Sequence, residues 1–224
     1  PSPATAEKPP KSPSKTRANL RNASGFSVYF DLSAGFLALP GSASELMHLE
    51  VVAVNLRSRR HWVIGDVHGC HQPLCHLLAT LPQYDHLVFC GDVINRGESI
   101  PATMNLVWDL VQAGRATWLR GNHEQDLIDA LASQDGLSQH ATYAQLGDRS
   151  ARQWLSRLQQ LPLVYRGDGW CATHAGFDAA GQPDLSIRDP FWEAYDGRFG
   201  QVVVGHTPRP QVERLGAIVL IDTG

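Results

Sequence analysis

From residue 61 onward, short apolar runs alternate with amphipathic stretches, and the change of period marks the elements. The run His61-Trp62-Val63-Ile64 reads as a buried strand entering the loop Gly65-Asp66-Val67-His68-Gly69. Helical spacing follows over 73–81. A second strand, His86-Leu87-Val88-Phe89-Cys90, ends in Gly91-Asp92, and helical spacing returns over 100–112. A third strand, Ala116-Thr117-Trp118-Leu119, ends in Gly121-Asn122-His123-Glu124 and leads into a helix that reaches about residue 131. Residues 133–147 read as a loop and 148–160 as a helix. Strands then dominate, at 163–165, 170–173, 201–204 and 217–221. Alternating strands and helices predict an α/β fold.

Ahead of residue 61 the pattern weakens. Residues 1 to about 18 carry Pro1, Pro3, Pro9, Pro10 and Pro13 among Lys, Ser and Thr, a composition that cannot bury enough surface to fold. This stretch is read as a disordered tail, and no element is assigned over 20–60. Residues 1–60 are therefore expected to be a poorly ordered extension and 61–224 the folded domain.

Composition narrows the class. Hydrophobic residues make up 43% of the 224, enough for a sizeable core, and the net charge of -3 gives no reason to expect nucleic acid as a partner. No apolar run approaches the roughly 20 residues of a membrane-spanning helix, so no membrane association is expected. Cys70, Cys75, Cys90 and Cys171 form no Cys-x-x-Cys pair, which suits reduced thiols in a cytoplasmic protein.

One regularity carries chemistry. Asp66, Asp92, Asn122, His174 and His206 each lie just past a strand end, with His68 two residues beyond Asp66. In α/β sheets, ligands bind outside the carboxyl ends of strands. Five distant segments would then supply three oxygen donors and three imidazoles to one rim. That mixture suits borderline divalent ions rather than a structural zinc site. Singly, each residue is an ordinary turn or cap residue; their order and their glycine spacers give the signal.

The segments Gly65-Asp66-Val67-His68-Gly69, Gly91-Asp92-Val93-Ile94-Asn95-Arg96-Gly97 and Gly121-Asn122-His123-Glu124 resemble the three signature motifs of the phosphoprotein phosphatase family of calcineurin-like metallophosphoesterases. Thr173-His174-Ala175-Gly176 and Gly205-His206-Thr207-Pro208 resemble its two histidine motifs. The wording is most similar to the bacterial and phage (lambda-type) serine/threonine phosphatases.

The resemblance implies two packed β-sheets flanked by helices and two divalent metal ions, manganese first, with iron or zinc as alternatives. It implies that Asp66 and His68 hold one metal, that Asp92 bridges, and that Asn122, His174 and His206 hold the other. His123 would be the general acid. Arg96 and Asn122 would meet the phosphate, with a second arginine at Arg188 or, alternatively, Arg198. A hydroxide activated by both metals would attack phosphorus in line. The expected substrate is a phosphorylated protein or peptide, acted on by a monomer.

Two departures stand out. The family usually carries Asp where this chain has Asn95; a missing charge there would leave His123 a weaker acid unless another carboxylate compensates. Ile221-Asp222-Thr223-Gly224 resembles a segment that normally continues into another strand, so the C-terminal sheet edge is expected to be incomplete. The competing activity is symmetrical hydrolysis of dinucleoside polyphosphates such as diadenosine tetraphosphate. Those enzymes usually end the third motif in Asp, so Glu124 favours the protein phosphatases. A catalytically dead binding module would predict eroded ligands, and all six are present.

Overall fold

The computed structural model describes the backbone of Val51–Val54 and residues 60–224; the tail expected over residues 1 to about 18 lies outside them. Two sheets dominate. The first has the order β1-β2-β3-β4, from β1 (Val51–Val54), β2 (His61–Ile64), β3 (His86–Phe89) and β4 (Ala116–Trp118). β2, β3 and β4 are parallel, and β1 pairs antiparallel with β2. The second has the order β10-β11-β9-β6-β5, from β5 (Val164–Arg166), β6 (Trp170–Thr173), β9 (Gln201–Val204), β10 (Glu213–Leu215) and β11 (Ile218–Leu220). Within it β6, β9 and β11 are parallel. β7 (Gly176–Phe177) and β8 (Pro183–Asp184) form a small hairpin.

Alternation along the strands builds three apolar layers. Side chains of successive residues point to opposite faces, so Val63, Val88, Val203 and Val219 meet Trp170 and Ala172 between the two sheets. Trp62, Ile64, Leu87, Phe89 and Trp118 turn outward beneath the helices α1 (His71–Thr80), α2 (Ile100–Gln112), α3 (Asn122–Ser133) and α4 (Ala141–Gln159). On the far side, Val202, Val204, Ile218 and Leu220 pack on Phe177 and on Phe191 of α5 (Asp189–Ala194). Strands buried on both faces read as continuous apolar runs, which is why these were legible. The fold is the expected α/β pair of packed sheets flanked by helices.

Three elements differ from expectation. The first sheet begins with β1, ahead of the boundary at 61. The stretch 133–147 is not a loop: a 3-10 turn occupies Leu137–Gln139 and α4 begins at Ala141. Gly147, at φ 73° and ψ 162°, breaks α4 into two segments, and that break hides the helical period of the first. β7, β8 and α5 fill a region left unassigned. Among the described residues, no helix is long and apolar enough to cross a membrane, and the four cysteines are free.

Candidate metal centre

The strand ends meet on one rim. Asp66 and Asp92 follow β2 and β3, Asn122 opens α3 after β4, and His174 and His206 follow β6 and β9. Two groups of donors form there: His68, Asp92 and His123, and Asp66, Asp92 and His174. Within each group, donor atoms lie within 4.8 Å of one another. Asp92 belongs to both. Its Oδ1 is 3.5 Å from His174 Nε2, and its Oδ2 is 3.7 Å from His123 Nε2. Asn122 Oδ1 lies 2.9 Å from both His174 Nε2 and His206 Nδ1, so all five segments converge.

The backbone is bent to achieve this. Among the described residues, six non-glycine positions have positive φ, and five of them are His68, Asp92, Asn95, Arg96 and His206. Such conformations are costly for L-residues and gather where function requires them. Gly205 meets a different demand: a Cβ there would overlap the Asp66 carboxylate. Its absence lets His206 N–H donate to Asp66 Oδ1 at 3.0 Å.

Hydrogen bonds also orient the imidazoles. His174 Nδ1 is 2.7 Å from the Cys90 carbonyl and His68 Nδ1 is 3.1 Å from that of Ile94. A carbonyl can only accept, so each Nδ1 carries the proton and each Nε2 turns its lone pair inward; in His174 that lone pair meets Asn122 Oδ1, also an acceptor, a pairing that a cation bound by both would satisfy. Metal-binding histidines are commonly fixed this way. Burial lowers the pKa of His174 to about 3, with His206 adding to the effect. Burial likewise lowers His68 to about 4. Both rings are neutral at neutral pH, the form that can bind a cation.

The carboxylates shift the other way. Burial, then repulsion from Asp222 and Asp92, holds Asp66 well above its ordinary range. Burial and repulsion from Glu124 do the same to Asp92. Buried carboxylates facing neutral imidazoles form a site short of positive charge. Its oxygen and nitrogen donors fit a pair of divalent cations.

Glu124 has a structural task. It is fully buried, and its carboxylate accepts from Asp92 N and Gly121 N at 2.8 Å, Val93 N at 2.9 Å and Ile94 N at 3.3 Å. At the third position of α3 it caps the helix and clasps the loop carrying Asp92. Its side chain faces backbone amides, so the substrate preference read from it loses its physical basis.

His123 packs at the mouth of the site. Asn95 Nδ2 donates to His123 Nδ1 at 2.9 Å, which leaves the ring proton on Nε2, facing Asp92. Burial, then Arg96, lowers the pKa of His123, and Asp126 partly opposes this. Asp126 Oδ2 lies 3.9 Å from His123 Nδ1, so a second carboxylate does stand near the ring.

The arginines separate clearly. Arg188, the residue before α5, places its Nε 3.4 Å from His206 Nε2. Arg198 instead pairs with Asp196 at 3.0 Å. The charge of Arg96 acts on His68, His123 and Asp92. Asp222, buried beyond β11 and within the influence of Asp66, Arg96 and Arg188, was not among the expected site residues. Its signal was the same grammar: a strand, then an acid.

A family model described as calcineurin-like phosphoesterase matches residues 59–219. A curated relative, the symmetrical bis(5'-nucleosyl)-tetraphosphatase of Ralstonia nicotianae, is 32% identical over 143 residues, covering 59% of this chain and 50% of that protein. The enzyme of the same description from Methylococcus capsulatus is 32% identical over 130 residues, covering 56% of this chain and 46% of that protein. The chain thus spans about half the length of these relatives. A crystal structure provisionally described as a diadenosine tetraphosphatase has a TM-score of 0.58 at 24% identity, covering 76% of this chain and 86% of that one. A serine/threonine phosphatase from Saccharomyces cerevisiae has a TM-score of 0.55 at 16% identity, covering 72% and 66%. At these identities the two structures speak for the fold alone.

Proposed function

The chain belongs to the calcineurin-like phosphoesterase family, and on that premise we propose that it hydrolyses dinucleoside tetraphosphates symmetrically, releasing two nucleoside diphosphates. One observation carries the chemistry: Asp92 lies centrally, belonging to both donor groups with Oδ1 toward His174 and Oδ2 toward His123, so its carboxylate can serve two cations; the division of the other ligands between them follows the family resemblance. The curated relatives, named for this activity, support the substrate class.

Asp66, His68 and Asp92 would hold one cation, and Asp92, Asn122, His174 and His206 the other. When bound, the pair would neutralise phosphate charge and supply an activated water at neutral pH. His123 lies at the edge of this site; as the doubly protonated ring it would give its Nε2 proton to the departing phosphate oxygen and return to the neutral form that Asn95 meets at Nδ1. Arg96 and Arg188 bring guanidinium forks, which bind two phosphate oxygens at once.

The protein phosphatase reading rested on the wording of the motifs and on Glu124; the curated relatives matched are symmetrical tetraphosphatases, and the Glu124 carboxylate is spent on four amides. The two activities separate in one assay. With Mn²⁺, diadenosine tetraphosphate is expected to give ADP alone, while a phosphoserine peptide stays largely intact. ATP plus AMP as products, or preferential hydrolysis of the peptide, would overturn the proposal.

A further inference from the structure

Arg96 sits in a loop whose conformation is unfavourable by itself. Asn95 (φ 69°) and Arg96 (φ 61°) are consecutive left-handed residues, and neither is glycine. Such pairs persist only where the surroundings over-determine them. On one side the loop leans on the first motif: Gly97 N donates to His68 O at 2.8 Å and Ser99 N to Gly69 O at 3.3 Å. α3 meets the loop through His123 at the Asn95 side chain and Glu124 at Ile94 N, and the first segment of α4 holds the backbone from 95 to 100. Asn95 N donates to Thr142 Oγ1 at 3.0 Å. Gln145 Nε2 donates to Gly97 O at 2.8 Å, and Gln145 Oε1 accepts from Ile100 N at 3.0 Å. Ser99 makes no side-chain cap for α2, so Gln145 caps that helix from outside while closing the turn of 97–100.

We propose that Gln145 and Thr142 are positioning residues for phosphate, which hold the Asn95–Arg96 backbone so that the Arg96 guanidinium stays over the metal centre. Gly147 separates this short helical segment from the rest of α4, so 141–146 can align with the loop while 148–159 packs on the core. Thr142 is buried and Gln145 is exposed, which makes Gln145 the position to test. The inference rests on Arg96 binding phosphate, as in the function proposed above.

The test is a double-mutant cycle on the Mn²⁺-loaded full chain, reading the affinity for inorganic phosphate by calorimetry and the hydrolysis of p-nitrophenyl phosphate. Gln145→Leu removes both hydrogen bonds at nearly constant volume, and Gln145→Glu keeps only the acceptor. Gln145→Leu is expected to weaken phosphate binding about tenfold and to raise KM more than it lowers kcat, with metal content unchanged. Gln145→Glu should fall between Gln145→Leu and the parent. In an Arg96→Ala background, Gln145→Leu should weaken phosphate binding no further. Equal losses in both backgrounds, or no loss in the parent, would overturn the proposal. Phosphate binding needs no turnover, so a chain that hydrolyses no ester would sink the functional reading and leave this test standing.

Discussion

The acidic side of the centre is pinned by backbone amides, and part of the imidazole side is not. Asp66 accepts from His206 N, Asp92 accepts from His123 N, and the Asp92 loop is clasped by Glu124 through four amides. On the second sheet, His174 is buried and anchored to Cys90, while His206 is half-buried and meets the Ser186 backbone together with the side chains of Asn122 and Arg188. Charge explains the difference. Buried carboxylates repel and would spread or stay protonated unless donors fix them, whereas neutral imidazoles need only orientation. The acidic side should therefore be rigid and intolerant of change, and His206 and Arg188 adjustable.

The largest effect should come from Asp92→Asn. Losing the shared carboxylate is expected to reduce hydrolysis about 10³-fold, read as kcat/KM at saturating Mn²⁺. A drop below tenfold would show that Asp92 is not shared. Next, Glu124→Gln should leave amides of the clasp without acceptors, at a cost of about 2–4 kcal/mol in urea unfolding. It should also weaken metal binding, although Glu124 faces no ligand position. A fully stable variant would remove the rigid side of the contrast.

Cation binding should depend on pH in a direction that the shifts fix. Raised pKa values mean that Asp66 and Asp92 keep their protons to higher pH than ordinary carboxylates, and a cation competes with those protons, so binding weakens as pH falls. His68 and His174, with values of about 4 and 3, are already unprotonated at pH 5 and contribute little between pH 5 and 7.5. The Mn²⁺-induced rise in Tm should hence be larger at pH 7.5, where about 2.7 kcal/mol of stabilisation is expected at a hundredfold excess over Kd. An equal rise at both values would contradict the carboxylate assignment.

On the adjustable side, Arg188→Ala should raise KM about tenfold with little change in Tm. The smallest effect expected is that of Asn95→Asp, which adds a charge beside His123 Nδ1 and should raise the pKa of that ring. The alkaline limb of the rate profile would move to higher pH by about one unit. Coincident profiles would show that Asp126 already serves.

The same division governs what could be read from sequence. Strands β2, β3, β6 and β9 announce themselves because both faces are buried, and their glycine-flanked acids and histidines mark the rim. The first segment of α4 stayed hidden: it is short and cut by Gly147, and its role lies in hydrogen bonds to a loop more than 40 residues earlier. Glu124 was legible as a motif residue but not as a clasp, since three of its four amides come from a loop about 30 residues away. Nothing in the sequence separates Arg188 from Arg198; the path into α5 brings Arg188 to His206, and Arg198 pairs with Asp196.

The shared carboxylate is tested most directly by counting metal. After loading with Mn²⁺ and desalting, elemental analysis of the full chain should find two ions per molecule in the parent and fewer than one in Asp92→Asn. A parent that retains one ion or none, or a variant that still holds two, would contradict a centre built around Asp92.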